Sequence, residues 1–172
     1  MRKYAMFKNV IIATLFALLS LGGCATASDP AIYLVRHAEK EPGRDPNLTP
    51  VGKVRAEALI THLDGVALDA IYSTDYRRTR QTAAPISLKT GVPVLRYDPA
   101  KLGEFADQLR AQGGTVLVVG HSNTTPELVA ALGGEAGAPI TEATEYDRLY
   151  VLTFVDGEVQ TLIERYGEPT PR

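Results

Sequence analysis

Three short segments gather the residues able to do chemistry. Arg36-His37 follows the apolar run Ala31 to Val35, and Gly120-His121-Ser122-Asn123 follows a second run, Thr115 to Val119. A third segment, Tyr72-Ser73-Thr74-Asp75-Tyr76-Arg77-Arg78-Thr79-Arg80-Gln81-Thr82, leaves the run Ala70 to Tyr72 and begins a helix. Histidine can attack as a nucleophile or move a proton near neutral pH, and arginines at a helix N-terminus favour anions. Each signal alone is weak, because a histidine after a strand is more often structural and clustered arginines usually face solvent. Their chemistry adds up only if the three segments meet.

The elements around them say how they could. Strand-like runs at Ala31 to Val35, Ala70 to Tyr72, Val92 to Leu95 and Thr115 to Val119 alternate with helix-like stretches. The stretches are Val51 to Leu63, a segment from Asp75 interrupted by Pro85, Ala100 to Gln112, and one from Thr125 or Pro126 to Leu132 that Gly133-Gly134 stops. Thr49-Pro50 and Asp98-Pro99 each offer an N-cap followed by proline. Tyr150 to Val155, Asp156-Gly157 and Glu158 to Glu164 read as a closing hairpin. The order β-α-β-α predicts an α/β fold of three layers, α/β/α, with a mostly parallel sheet, helices on both faces and a C-terminal β-hairpin. In such sheets ligands bind beyond the carboxyl ends of the strands, where Arg36-His37 and His121 would lie.

Taken together the motifs resemble the histidine phosphatase, or phosphoglycerate mutase-like, superfamily. Leu34-Val35-Arg36-His37-Ala38-Glu39 matches its first motif, Asp45-Pro46-Asn47-Leu48-Thr49-Pro50-Val51-Gly52 its next helix start, and Tyr72-Ser73-Thr74 the strand end before its second arginine. The resemblance implies a phosphatase acting on a phosphomonoester, with His37 attacking phosphorus as a neutral imidazole and becoming transiently phosphorylated, without metal or cofactor. It assigns Arg36, Arg78 and a protonated His121 to a cationic phosphate cage, with Arg77 in reserve for Arg78. Arginine suits that task because its planar fork donates two hydrogen bonds and stays charged.

Other roles divide between alternatives. Asn123 and Ser122 either hold His121 or donate to phosphate, or they cap the next helix. The acid that protonates the leaving oxygen is assigned to Asp98, with Glu104 in reserve. Lys40 reads as a loop lysine that could enlarge the positive field, and His62 as a helix-surface histidine. The stretch Gly133 to Tyr146 is the expected rim loop, from which Glu142, Glu145 or Asp147 could read the rest of a small phosphorylated substrate such as a phosphosugar, a lipopolysaccharide phosphate or a peptide. A phosphoglycerate mutase-like phosphotransferase and a non-catalytic phosphate-binding lipoprotein are the rival readings. No metal-ligand spacing and no Gly-rich Walker loop stands in the sequence.

The N-terminus bears on location. Arg2, Lys3 and Lys8 precede the apolar run Val10 to Leu21, the layout of a signal peptide over residues 1–23. Leu21-Gly22-Gly23-Cys24 resembles a bacterial lipobox, so Cys24, the one cysteine of the chain, is expected to be lipidated. The alternative is a plain secreted protein. Residues 24–29 then form an anchor and linker spanning at most roughly 20 Å, and 30–172 one phosphatase domain on the periplasmic face of a bacterial membrane, the outer one by expectation. Of the 18 basic residues three lie in the signal segment, leaving 15 against 20 acidic ones, a balance of −5 that disfavours general nucleic-acid binding.

Overall fold

The computed structural model describes residues 30–171, so the signal segment and Cys24 lie outside the described residues. The elements are β1 (Ala31–Arg36), α1 (Pro50–His62), β2 (Ala70–Ser73), α2 (Arg77–Thr90), β3 (Val94–Arg96), α3 (Leu102–Gln112), β4 (Thr115–Gly120), α4 (Thr124–Ala131), β5 (Arg148–Val155) and β6 (Glu158–Arg165). One sheet has the order β3-β2-β4-β1-β5-β6. β3, β2, β4 and β1 run parallel, and the hairpin β5-β6 adds antiparallel to β1. This is the expected α/β fold with its closing hairpin.

The layers follow from alternation along the strands. Ile32, Leu34, Val116 and Val118 pack with Phe105 and Leu109 of α3 and Leu128 of α4. Val35, Ile71, Leu117 and Val119 face the other way, against Leu59 of α1 and Ala83 and Ile86 of α2. Each such aliphatic side chain contributes about 1.5–3 kcal/mol on burial, well above any per-residue helix propensity, so packing on two faces decides the architecture.

That balance explains why Pro85 does not interrupt α2, which runs through it to Thr90. The lost hydrogen bond and ring clash cost about 3 kcal/mol, and burial of Ala83 and Ile86 on either side of the proline offsets it. The second correction concerns Asp98, which does not cap α3. Lys101 N–H donates to Asp98 O (3.1 Å) and Ala100 N–H to Asp98 Oδ1 (2.9 Å), closing a β-turn in which Pro99 presets the second position. The helix starts only afterwards, at Leu102.

Thr49 does cap α1, its Oγ1 accepting the Gly52 N–H (3.0 Å). A Cβ at Gly52 would overlap the Glu39 carbonyl, so glycine lets the first turn of α1 lie directly on the segment after β1. In the hairpin turn both Asp156 and Gly157 have positive φ (52° and 83°), the left-handed pair a two-residue hairpin requires. Among the described residues no helix is long and apolar enough to cross a membrane.

Candidate active site

Strand register brings the two histidines together. Arg36 of β1 is opposite Gly120 of β4 in parallel register, so the next residue of each strand, His37 and His121, leaves the sheet at the same edge. His37 N–H donates to Gly120 O (2.9 Å), and the rings stand edge to face with centroids 5.5 Å apart. On the far side of β4, Ser73 of β2 pairs with Val119, and the chain beyond it supplies Thr74, Tyr76 and Arg78. A hollow of about 640 Å³ opens here, lined by both histidines together with Lys40, Tyr76, Arg78, Ser122, Asn123 and Glu142 among others.

His37 is 3% exposed, and its Nδ1 lies 2.8 Å from Ala38 O. A carbonyl only accepts, so Nδ1 carries the hydrogen and Nε2 keeps its lone pair. Burial is the main cause that pushes the imidazolium down to about 3; the Ala38 carbonyl opposes it, and the charges of Arg36, His121 and Arg78 add to it. The ring is therefore neutral at physiological pH. Its backbone is held in turn: Ala38 N–H donates to Thr82 Oγ1 (2.9 Å), and the Glu39 carboxylate accepts from Arg55 Nε and Nη2 at 2.9 and 2.8 Å.

His121 is the reverse tautomer. Arg78 Nη2 is 3.2 Å from its Nδ1, and since a guanidinium only donates, Nδ1 accepts. The hydrogen is on Nε2, donated to Thr74 Oγ1 (3.0 Å), whose own proton goes to Thr79 Oγ1 (3.0 Å). Burial first, then the Arg78 and Arg36 charges, lower its proton affinity to about 4. The protonated His121 expected from sequence is thus corrected: in the free site both of its nitrogens are committed as a neutral ring.

The arginines differ in placement. Arg78 has a side chain 14% exposed, against 60% for Arg77, so the geometry selects Arg78 for the hollow. Its guanidinium lies over the Tyr76 ring, 4.4 Å from the centroid. At the N-terminus of α2 the first N–H, that of Arg77, is donated to Asp45 Oδ1 (2.9 Å). Arg36 is 1% exposed and sits behind the hollow, donating from Nη1 to Glu145 O (2.8 Å) and from Nη2 to Glu142 O (2.7 Å). Its guanidinium stacks on Tyr146 at 4.0 Å. The Nε–H groups of Arg36 and Arg78 are buried and have no partner among the described residues.

The assigned acids are not brought to this place. The Asp98 carboxylate is spent in its turn and borders a different hollow, with Arg96 and Tyr97. Glu104 is on the exposed face of α3, paired with Lys101 Nζ at 3.2 Å. Glu145 and Asp147 are buried and bound by arginine, Glu145 to Arg148 and Arg165 (2.6 and 2.7 Å) and Asp147 to Arg165 (2.7 Å), so they do not face a substrate. Of the three rim carboxylates only Glu142 lines the His37 hollow. Asn123 lines it too and makes no capping hydrogen bond; Thr124 Oγ1 accepts the His121 N–H instead (3.2 Å). His62 is remote, 2.8 Å from Glu164. Thr74 and Tyr76 lie inside a segment quoted for its arginines without being assigned a role, and Tyr146 reaches Arg36 through tertiary packing that no local pattern marks.

Comparison with known proteins bears on the family and the fold. Residues 32–106 match the model of the histidine phosphatase superfamily (branch 1). No curated protein sequence matches the chain. Among solved structures, the fold is similar to a SixA protein of Agrobacterium tumefaciens described as a phosphohistidine phosphatase, at 23% identity over 81% of this chain and 99% of that one, TM-score 0.59. It is also similar to YhfR of Bacillus stearothermophilus (19% identity, 78% and 96% covered, TM-score 0.62). A third is a mycobacterial glucosyl-3-phosphoglycerate phosphatase (14% identity, 83% and 100% covered, TM-score 0.58).

Proposed function

We infer that this chain, whose residues 32–106 match the histidine phosphatase superfamily, is a member of it and hydrolyses a phosphomonoester through a phosphohistidine on His37, with no metal or cofactor. The observation that carries the reading is the pairing of a neutral His37, whose free nitrogen is Nε2, with two buried guanidinium Nε–H donors that have no partner among the described residues. Nε2 attacks phosphorus, Nδ1–H···O=C of Ala38 stabilises the imidazolium that forms, and Arg78 meets charge on the phosphoryl oxygens. Arg36 supports the same charge from behind; it acts on the proton affinity of both histidines. His121 holds Arg78 in place by accepting from Nη2, and Asn123 is a further phosphate donor. Tyr76, Asn123 and Glu142 are solvent-exposed, so water reaches the phosphohistidine, which favours hydrolysis over the transfer that a mutase-like reading requires.

We place the enzyme outside the cytoplasm, anchored through Cys24, because the sequence before Pro30 has the order of a lipoprotein signal; its substrate is then a small phosphorylated compound met there.

The test is the pH dependence of kcat/KM for p-nitrophenyl phosphate, corrected for ionisation of the ester. Both histidines must be neutral in the free enzyme, so activity is lost as pH falls through their lowered values, about 3 for His37 and about 4 for His121. The profile should stay level from neutral pH to below pH 5. An acid limb centred near 6.5, or no turnover at any pH, would contradict the reading.

A further inference from the structure

If the phosphatase reading holds, a question of proton supply follows: an alkyl ester cannot leave as a free alkoxide at neutral pH, so some group at the hollow must protonate the bridging oxygen. The groups present narrow the choice. Arg78 keeps its protons throughout the accessible range. The His121 hydrogen is on Nε2 and donated into the protein to Thr74, and its Nδ1 carries none. His37 is the nucleophile, and the Lys40 ammonium belongs to a class that releases protons far less readily than a carboxyl. Asp98 and Glu104 lie elsewhere.

We propose that Glu142 is the acid that protonates the leaving oxygen and the base that then activates water. It stands where the His37 hollow meets a second one of about 490 Å³, lined by Pro126, Pro139 and Ile140. An ester with its phosphate at His37 and its organic portion in that second hollow carries its bridging oxygen past Glu142. The residue is fixed there from below, its carbonyl accepting from Arg36 Nη2 at 2.7 Å.

The step balances. As the P–Nε2 bond forms and the P–O bond breaks, the Glu142 carboxyl gives its proton to the departing oxygen, leaving an alcohol, a carboxylate and a phosphoimidazolium that keeps its Nδ1–H. Water then attacks phosphorus, its proton passing to Glu142 as the P–N bond breaks. Phosphate, neutral His37 and protonated Glu142 result.

Such an acid matters in proportion to how poor the leaving group is, and this separates chemistry from structure. In the full domain, Glu142→Gln should lower kcat/KM on glycerol phosphate by about 10²-fold or more, the usual worth of a general acid, and on p-nitrophenyl phosphate far less, since nitrophenolate leaves unaided. Glu142→Asp should recover part of the alkyl rate. Equal loss on both esters would overturn the proposal, because it would signal only a disturbed Arg36 contact. An unchanged alkyl rate in Glu142→Gln would overturn it too, as would a wild type that cleaves the aryl ester alone. A wild type that cleaves neither would bring down the phosphatase reading itself, and this inference with it.

Discussion

Replacing His37 by alanine should lower phosphomonoester hydrolysis by on the order of 10⁴-fold or more, the scale seen when a covalent catalyst loses its nucleophile. The expectation rests on division of labour within the site. Arg36 and Arg78 can hold an anion, but neither can form the covalent bond that splits the displacement in two, and His121 has its hydrogen committed to Thr74 and its lone pair to Arg78. No second imidazole is free to substitute. Folding should survive, since the His37 side chain makes one hydrogen bond, to its own neighbour's carbonyl, and the backbone that positions it is held by Gly120, Thr82 and the Glu39–Arg55 pair. Steady-state phosphate release beside a thermal unfolding curve checks both halves. A rate within tenfold of wild type, with an intact fold, would remove His37 from the chemistry.

The second large effect is at Arg78. Arg78→Lys keeps the positive charge but not the fork that reaches His121 Nδ1 with Nη2 while lying over Tyr76 and leaving Nε–H free. Loss of one well-placed donor to a developing oxyanion costs about 10²–10³ in kcat, and a single ammonium replaces at most one of these contacts. The same substitution should leave His37 neutral, because the charge that helps depress its proton affinity is retained. Arg77→Lys is the internal control: that side chain points to solvent, and its rate should stay within twofold. An undiminished rate in Arg78→Lys would mean that charge, not hydrogen-bond geometry, is what matters, and equal losses at 77 and 78 would mean a general disturbance of α2 rather than a specific role for Arg78.

The parts of the molecule legible in the sequence are those set by local chemistry. Continuous apolar runs with polar ends mark β1 and β4 because both faces of those strands are covered, and this is why Arg36-His37 and His121 could be placed at strand ends. Thr49-Pro50 and Asp156-Gly157 announced a cap and a turn for similar reasons. The meeting of the three segments was not readable in the same way: it depends on β4 lying between β1 and β2, which packing of helices on both faces decides. The resemblance already put Arg78 ahead of Arg77; the physical ground for that choice, the phase of α2 relative to the sheet, is visible only in the fold.

The failures have physical causes as well. Charge in a sequence reads as surface, yet Glu145 and Asp147 are buried, which is tolerable only because Arg148 and Arg165 pair with them. Asp98 had the chemistry of a cap, and Pro99 diverted it into a turn ahead of the helix. His121 was expected charged because it would face phosphate; burial and two neighbouring guanidiniums outweigh that in the free site. Tertiary packing overruled the residue type at Asp147 and His121, and a neighbouring proline did so at Asp98.

The claim on which the account turns is a covalent phosphoryl bond at His37, and it can be observed. The protein mixed with a ³²P-labelled phosphomonoester, quenched within the turnover time in alkali and digested, should yield label on the peptide containing Leu34 to Lys40, stable to base, lost in acid and absent from His37→Ala. Turnover without any such label, or label that persists in His37→Ala, would contradict it.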